Sequence, residues 1–266
     1  MRLPHKSIAT LVVTLLFIFF GDIFYTPSPI AINGTEILSP PTLSHPFGTD
    51  RLGRDMLARV IEGGKVSIVI GLGSAVIASL IGLIVGVSAG FFRGSTDKAV
   101  IVLIDLFLTF PTFFLLLALI AYMNASVLML IIVISVTGWM GTARLIRSES
   151  FALTEKPYIK ILRIANVSKA KIFFKYYLPA LSSIFLISFI FGLGGAILAE
   201  SGLSFLGLGI QPPQMSWGLL ISEGREFIDI AWWVSFFPGL FIFLITMPLV
   251  NISDYLQYIF NKKEKM

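Results

Sequence analysis

Charged residues are scarce in this chain: only 13% of its 266 residues are Asp, Glu, Lys or Arg, whereas 56% are apolar. Soluble domains carry about 25% charged residues, so part of the surface of this protein must face the lipid bilayer instead of water. Cysteine is absent, which excludes disulfides, thiolate metal ligands and a cysteine nucleophile. The two histidines, His5 and His45, lie far apart in the sequence, and we predict no histidine-based metal site.

A phosphate-binding loop is also missing. The segment Gly63-Gly64-Lys65 superficially resembles one, but such a loop needs a glycine five positions before the Gly-Lys pair, and Arg59 stands there. The formal charge of +5 does not indicate nucleic acid, because the basic residues cluster between apolar runs. No group of residues indicates enzymatic chemistry.

Six apolar runs are each about the 20 residues that a membrane-spanning helix needs. We predict an all-α, polytopic membrane protein with spans at 8–26, 66–91, 99–122, 126–144, 180–200 and 231–252. The first run is expected to be an uncleaved span and not a signal peptide, because Thr26-Pro27-Ser28-Pro29 offers no small-residue cleavage site. The weakest junction is the short turn 122–126 between spans three and four.

Lys and Arg are unequally divided between the two sides that six spans create. Fifteen of the twenty fall in the N-terminal segment, in 92–98, in 144–179 and in the C-terminal tail. The other side holds Arg51, Arg54, Arg59, Lys65 and Arg225. Because positive residues concentrate in cytoplasmic loops, we predict that both termini are cytoplasmic.

Small residues and carboxylates inside the spans raise two further questions. Span two has a small residue at every fourth position: Ser74, Ala78, Gly82, Gly86 and Gly90. This spacing predicts close packing inside the subunit, with a dimer-specific role as the alternative.

The carboxylates of Asp22 and Asp105 lie within predicted spans, where a charged side chain is costly. Asp22 can reach the interface. For Asp105, close to Pro111, local hydrogen bonding and a translocation role both stay open.

The longest predicted cytoplasmic loop, 144–179, is basic but patterned. Four of its residues are spaced as one face of an amphipathic helix: Tyr158, Ile161, Leu162 and Ala165. Thr154 can cap this helix, Pro157 suits its first turn, and Asn166 can end it in the left-handed conformation. Ser168 then begins a second helix, which is expected to end at Leu178-Pro179. Two helices lying on anionic lipid fit the pattern equally well.

Four segments together resemble a known family. They are 45–55 (His45-Pro46-Phe47-Gly48-Thr49-Asp50, then Gly53-Arg54-Asp55), 139–147 (Trp139, Ala143-Arg144, Arg147), 200–218 (Glu200-Ser201 to Gly209, Pro212-Pro213, Ser216-Trp217-Gly218) and 232–239 (Trp232-Trp233, Phe237-Pro238-Gly239). The combination resembles the C-type permease of the dipeptide, oligopeptide and nickel ABC importers. The loop 144–179 resembles the EAA loop by which such permeases dock onto their ATPase.

The sequence departs from the family pattern at four places. Lys160-Ile161-Leu162 stands in place of Glu-Ala-Ala, Asn166 in place of the turn glycine, Tyr176 in place of a histidine, and Ser253 in place of a glycine in the last span. Asparagine tolerates the left-handed turn, so we expect the loop geometry to survive. The lost acidic residue leaves the electrostatics of ATPase docking open.

The resemblance implies a type I importer fold in the cell inner membrane, with 1–62 as the first helix and external loop and 63–266 as the permease core. It implies a transport subunit without a cofactor of its own, whose ATP is hydrolysed by a partner. Expected partners are a second homologous permease, two ATPase subunits, an extracytoplasmic binding protein and lipid. Peptides are the expected substrate, with a nickel chelate as the alternative. A channel or scaffold is less favoured, because neither needs an ATPase-docking loop.

The resemblance also implies functional residues, in three groups. The ATPase-coupling loop is expected to comprise Tyr158, Ile161, Leu162, Arg163, Ala165, Asn166, Val167 and Ser168. The loops 27–65 and 200–230 are expected to face the binding protein, through Gly48, Asp50, Gly53, Arg54, Asp55, Pro212, Pro213 and Trp217. A translocation path is expected near Asp105, Pro111, Glu200 and Ser204.

Overall fold

The computed structural model describes residues 3–123 and 126–264, and this part of the chain contains helices and loops but no strand. In chain order the helices are α1 (His5–Phe24), α2 (Met56–Phe92), α3 (Gly94–Leu108), α4 (Thr112–Ile120), α5 (Val127–Glu155), α6 (Pro157–Ile164), α7 (Lys169–Ile172), α8 (Leu178–Phe205), α9 (Trp217–Gly224) and α10 (Trp233–Glu264). A π-helical turn, Phe173–Tyr177, joins α7 to α8, and a 3-10 turn, Arg225–Phe227, follows α9.

Five helical segments are long and apolar enough to cross a membrane: α1, α2, α5, the continuous segment Lys169–Phe205, and α10. The sixth span is a bent pair, α3 and α4, whose axes differ by 80°. The prediction of one continuous helix over 99–122 is therefore wrong. Pro111 precedes α4 in an extended conformation and has no N–H to continue the ladder of α3. Asn124 and Ala125, in the predicted turn, lie outside the described residues.

The packing of α2 on α5 shows that the bent pair crosses the bilayer. Ser135 Oγ of α5 donates to the Ser74 carbonyl of α2 over 3.3 Å, and further along the pair Gly90 lies against Ser150. Residue numbers rise together along the two helices, so α2 and α5 run parallel. The connection between them must return across the membrane, which gives six spans in all.

Two helices extend well beyond their predicted ends. The 37 residues of α2 begin at Met56 and not at 66, which makes α2 about 55 Å long at 1.5 Å per residue, against a hydrocarbon core of about 30 Å. α5 continues to Glu155 instead of ending at 144, so the first part of the predicted loop is helical. Both extensions carry charged side chains, which lie beyond the apolar runs predicted to span the membrane.

Small residues of α2 allow the closest helix contact. A Cβ on Gly86 would lie 2.6 Å from the Ala143 carbonyl oxygen and 2.8 Å from the Ile146 Cβ of α5. Gly82 and Gly90 are equally crowded by α5, with nearest atoms at 2.7 and 2.6 Å. The prediction of packing inside the subunit is confirmed for this face.

Candidate functional site

The helix α6 projects from the end of α5 and is the core of the predicted coupling loop. Lys156, in an extended conformation, separates the two helices, and Pro157 begins α6, where its missing N–H costs nothing. The prediction that Thr154 caps α6 is wrong, since Thr154 lies inside α5. Its hydroxyl donates to the Gly90 carbonyl over 3.1 Å and lies 2.6 Å from the Tyr177 hydroxyl, which fixes the base of the loop to α2 and to the π-helical turn.

Asn166 ends α6 in the left-handed conformation, with φ of 53°. The Val167 N–H donates to the Leu162 carbonyl and the Asn166 N–H to the Arg163 carbonyl, both over 3.1 Å. This pair of bonds defines a Schellman motif. Ser168 then caps α7 by accepting a hydrogen bond from the Lys171 N–H over 3.4 Å. The predicted helix–turn–helix geometry is confirmed at these residues.

The second helix of the loop does not end at Leu178-Pro179. The Leu178 N–H donates to the Phe173 carbonyl, five residues back, and the helix continues through Pro179 to Phe205. A single wide turn of this kind accommodates a residue without an N–H. The loop is therefore connected to the spanning helix α8 without a break.

One apolar face of α6 is buried against the subunit, and the other is exposed. Ile159 is fully buried against the ends of α2, α5 and α8, and Leu162 is half-buried in the same cluster. Tyr158, Ile161 and Ile164 are 43%, 63% and 80% exposed. Ala165 also lies on the surface. α6 is thus fixed from below by one face and presents the other to the surroundings.

The external segment 45–55 folds into a compact cap at the start of α2. Asp50 is buried, and its Oδ1 accepts hydrogen bonds from the Leu52 and Arg54 N–H groups over 2.8 and 2.9 Å. Gly53 has φ of 70°, and a Cβ there would lie 1.8 Å from the Asn33 carbonyl oxygen. Gly48 is similarly constrained, with φ of 71°. These residues shape the loop and do not form its outer surface.

Asp55 connects this cap to α1 and to α2. Its Oδ1 caps α2 by accepting from the Ala58 N–H over 2.8 Å, and its Oδ2 accepts from the Tyr25 hydroxyl over 2.7 Å. Desolvation, followed by the hydrogen bond to Asp55, raises the pKa of Tyr25. His45 Nδ1 lies 2.7 Å from Asp55 Oδ2, and its Nε2 lies 3.0 Å from Glu36 Oε2. The hydrogen bond to Asp55 is the main cause of the raised pKa of His45.

The second external segment, 206–232, packs against this cap. Trp217 is fully buried, and its Nε1–H donates to the Val60 carbonyl over 2.9 Å. Arg59, also buried, contacts Glu223 Oε2 at 2.6 Å through its Nη2. Sequence reasoning missed this pair, although an arginine in the first turns of an apolar helix is the signal for it. Pro212 and Pro213, joined by a cis peptide bond, remain on the surface.

The residues predicted for a translocation path lie in separate places. Asp105 is exposed on α3 and forms an ion pair with Arg144 at 2.6 Å. Pro111 marks the bend between α3 and α4. Glu200 is fully buried at the outer end of α8, where Ser204 Oγ donates to it over 2.7 Å.

A cavity of about 510 Å³ lies between α2, α4, α5, α8 and α10. Hydroxyl groups of several helices reach it, among them those of Ser79, Thr112, Thr137 and Ser188. The four predicted path residues are not among those that line it. The cavity combines an apolar wall with scattered hydrogen-bonding groups.

Comparison with known proteins shows to which family the chain belongs. The model of the family described as "Binding-protein-dependent transport system inner membrane component" matches residues 78–266. The chain belongs to this family. It is a multi-pass permease subunit of an ATP-driven importer and resides in the inner membrane.

Curated relatives are similar to this permease over most of its length. The oligopeptide transport system permease protein OppC of Haemophilus influenzae is 30% identical over 97% of this chain and 85% of its own. OppC of Mycobacterium tuberculosis is 36% identical over 79% and 72%. The dipeptide transport system permease protein DppC of Alkalihalophilus pseudofirmus is 30% identical over 94% and 83%.

A solved structure shares the fold of this permease. The inward-facing MetNI methionine ABC transporter matches with a TM-score of 0.59 and 18% identity, over 76% of this chain and 97% of the matched chain. The predicted importer fold is confirmed by this match. The division of the chain at residue 62, inside α2, stays a prediction.

The position of the lost family glutamate has its own local ion pairs in this permease. Lys160 Nζ lies 2.7 Å from Glu155 Oε2, and Glu155 Oε1 lies 2.5 Å from Arg93 Nη2. Arg163 donates to the Phe91 carbonyl over 3.3 Å and lies over the Phe91 ring. The positive charge at Lys160 is therefore directed toward the permease's own α5, and the surface of α6 carries no carboxylate between Pro157 and Ile164.

Proposed function

We propose that this permease forms one half of the membrane pore of a di- or oligopeptide importer, paired with a second homologous permease. Two ATPase subunits on the cytoplasmic side supply ATP hydrolysis, and this chain contributes neither catalysis nor a cofactor. An extracytoplasmic binding protein delivers the substrate. The printed names of the relatives, which specify peptides, dipeptides and oligopeptides, support the substrate class.

The exposed face of α6 is the observation that carries the coupling role. A surface helix with Tyr158, Ile161 and Ile164 outward exposes apolar area that a partner can cover. Ile159, beneath it, and the continuous helix from Lys169 to Phe205 connect this face rigidly to the pore helices. Movement of a docked ATPase is thereby passed to α8 as a rigid-body displacement.

The outer cap supports delivery of the substrate at the other end. Buried residues of the cap and of the segment 206–232, among them Asp50, Asp55 and Trp217, hold the two loops in place, and Pro212 and Pro213 lie on the outer surface. We assign contact with the binding protein to this surface. The cavity lined by α2, α5 and α8 is assigned to the substrate path, with Asp105 positioned by Arg144 and not in direct contact with substrate.

Substitution at the tip of α6 tests the coupling role. Ala165→Arg places a bulky cation in the expected interface, where a buried unpaired charge costs about 3–5 kcal/mol. Asn166→Pro fails for another reason, since proline cannot adopt φ of 53°. Both variants are expected to accumulate in the membrane at normal levels but to lose at least tenfold in ATPase co-purification and in peptide uptake.

Conservative substitutions at the same two positions serve as controls. Ala165→Ser and Asn166→Gly should keep both activities, because serine is small and glycine adopts the left-handed conformation freely. If Ala165→Arg retains its ATPase and transports normally, α6 lies on lipid instead and the coupling role is refuted.

Uptake by cells separates the substrate classes. Cells that depend on this permease should take up a labelled dipeptide, and unlabelled di- and oligopeptides should compete. Competition by a nickel chelate, with no effect of peptides, would reassign the substrate to a chelated metal.

A further inference from the structure

One carboxyl group lies at the outer end of the bundle without a cationic partner. Glu200 of α8 is fully buried. Its Oε2 is 3.0 Å from Ser67 Oγ of α2, and its Oε1 is 2.7 Å from Ser204 Oγ. Ser67 Oγ also accepts a hydrogen bond from the Trp217 N–H over 3.1 Å, at the start of α9. The carboxyl group thus joins three helices through neutral hydroxyl groups.

Three other carboxyl groups at this end, those of Asp50, Glu223 and Asp55, do have such partners. Asp50 accepts two backbone N–H bonds and a third from Arg54 Nε at 2.6 Å. Glu223 contacts Arg59 at 2.6 Å and Arg54 at 3.3 Å. Asp55 has His45 beside it. Each of these groups has the cationic or backbone partners that a buried negative charge needs.

No cation of the described residues approaches Glu200 from the elements packed on α8. On α2, the nearest one along the chain is Lys65, which is paired with Asp22 and Glu62 at 2.7 and 3.3 Å. The charged residues of α9 and the turn after it begin at Glu223, and those of α5 and α10 begin at Arg144 and Asp254, toward the other end. The loop 206–216 carries no ionisable residue.

A carboxyl group in this setting takes up a proton instead of keeping its charge, because burying an isolated charge that has no counter-ion is far more costly. The surrounding hydroxyl groups are compatible with the neutral form. A serine hydroxyl both donates and accepts, so Ser67 and Ser204 can serve a carboxylic acid, in which one oxygen donates and the other accepts.

We propose that Glu200 is a proton-binding site. It holds a proton while α2, α8 and α9 are closed around it, and it releases the proton when opening of this end admits water. Above about pH 4.3, where hydrated glutamates ionise, and as long as the closed arrangement keeps its proton, each unit of pH then shifts the balance between closed and opened arrangements tenfold toward opening. The outer end is held more firmly closed in acid, whatever substrate is carried.

The test uses the full chain in lipid nanodiscs, purified with the subunits that accompany it. Infrared spectroscopy at neutral pH should show a protonated-carboxyl carbonyl band in the wild type, and Glu200→Gln, an isostere of the neutral acid, should lack it. The wild-type Tm should fall relative to that of Glu200→Gln as pH rises from about 5 to about 9, because only the wild type has a proton to lose.

Glu223→Gln is the matched control, since the Glu223 carboxyl group, unlike that of Glu200, contacts two arginines. It should leave the carbonyl band in place and lower the Tm at neutral pH, whereas Glu200→Gln should unfold at or above the wild-type temperature there, because it has no proton to lose. The proposal is overturned if the carbonyl band is unaffected by Glu200→Gln. It is also overturned if Glu200→Gln lowers the Tm as much as Glu223→Gln with no dependence on pH. Neither result bears on peptide transport, which is measured separately.

Discussion

His45 is the residue of the outer cap that titrates nearest to physiological pH. Both of its ring nitrogens face carboxylates, Asp55 at 2.7 Å and Glu36 at 3.0 Å. Only the imidazolium form can donate to both at once. The raised pKa of His45 means that the cap is more stable when His45 is protonated. The imidazolium then links Asp55, at the start of α2, to Glu36 in the loop before it.

The charge state of His45 makes the stability of the cap depend on pH. Since folding raises the pKa of His45, the contribution is complete below about 6.5, the ordinary value, and is lost as pH rises through the raised value. The loss should be on the order of 1 kcal/mol, as for one charge-assisted hydrogen bond. Tryptic cleavage at the exposed Arg51 should accelerate over this range in the wild type.

His45→Gln isolates this effect from other titrations, including that of the protease. The variant should be cleaved faster than the wild type in mild acid, and the two rates should converge as the pH rises. A constant ratio of the two rates at every pH would show that His45 does not hold the cap through its charge.

At the scale of single elements, α2 and α5 form the closest pair. Gly86 faces the Ala143 carbonyl and the Arg147 N–H, which are backbone atoms that cannot move aside as a side chain would. Gly86→Leu should lower the free energy of unfolding by about 1–3 kcal/mol, the usual cost of overpacking, and thermal unfolding of the assembled complex in nanodiscs should show the loss.

Gly239 offers a matched control for this substitution on another spanning helix. A Cβ there meets no atom within 4 Å, so Gly239→Leu should lower the Tm much less than Gly86→Leu. If Gly86→Leu unfolds at the wild-type temperature, α2 and α5 are not in the close contact that the small-residue stripe provides.

The helix α6 shows how far the sequence could predict the coupling loop. Pro157 and Asn166 predicted its two ends, because both residue types are restricted in backbone conformation. The sequence could not show which apolar face is covered. Leu162 was predicted on the docking face but packs inward beside Ile159, whereas the 80% exposed Ile164 was missed. Two apolar stripes on a short helix have the same periodicity, and only the tertiary packing distinguishes them.

Long-range contacts explain the other differences between sequence and structure. Glu200 was predicted to lie near a path for substrate. In the structure it instead forms a buried hydrogen bond with Ser67, which is 133 residues away in the chain. The pairing of Arg59 with Glu223 spans 164 residues. Spans and loop ends follow from local composition and turn chemistry, whereas such pairings depend on which helices become neighbours.

In the whole molecule, the sequence motifs of the family gather at opposite ends of the bundle. The Trp233 Nε1–H of α10 donates to the Thr49 carbonyl over 3.1 Å, and Phe47 stacks on Phe237 at 3.9 Å between ring centroids. These contacts join the segments 45–55 and 232–239 at the end where Trp217 is buried. The coupling loop lies at the other end, beside Phe91 and Tyr177. These are the two ends to which the proposed function assigns the binding protein and the ATPase.

The absolute orientation of these ends follows from charge and is tested by labelling. Because the chain has no cysteine, single Ser44→Cys, Gln214→Cys and Lys169→Cys variants give a clean background for impermeant thiol reagents, and all three positions are exposed. We expect labelling from outside intact cells at 44 and 214 but not at 169.

The parallel packing of α2 and α5 requires the bent pair α3–α4 to cross the bilayer, which places 44 and 214 on one side. If the pair returned to the side it entered from, 214 would be protected and 169 labelled. The eight Lys and Arg residues of 144–179 would then lie outside, against the positive-inside rule, and the coupling loop would be out of reach of any ATPase.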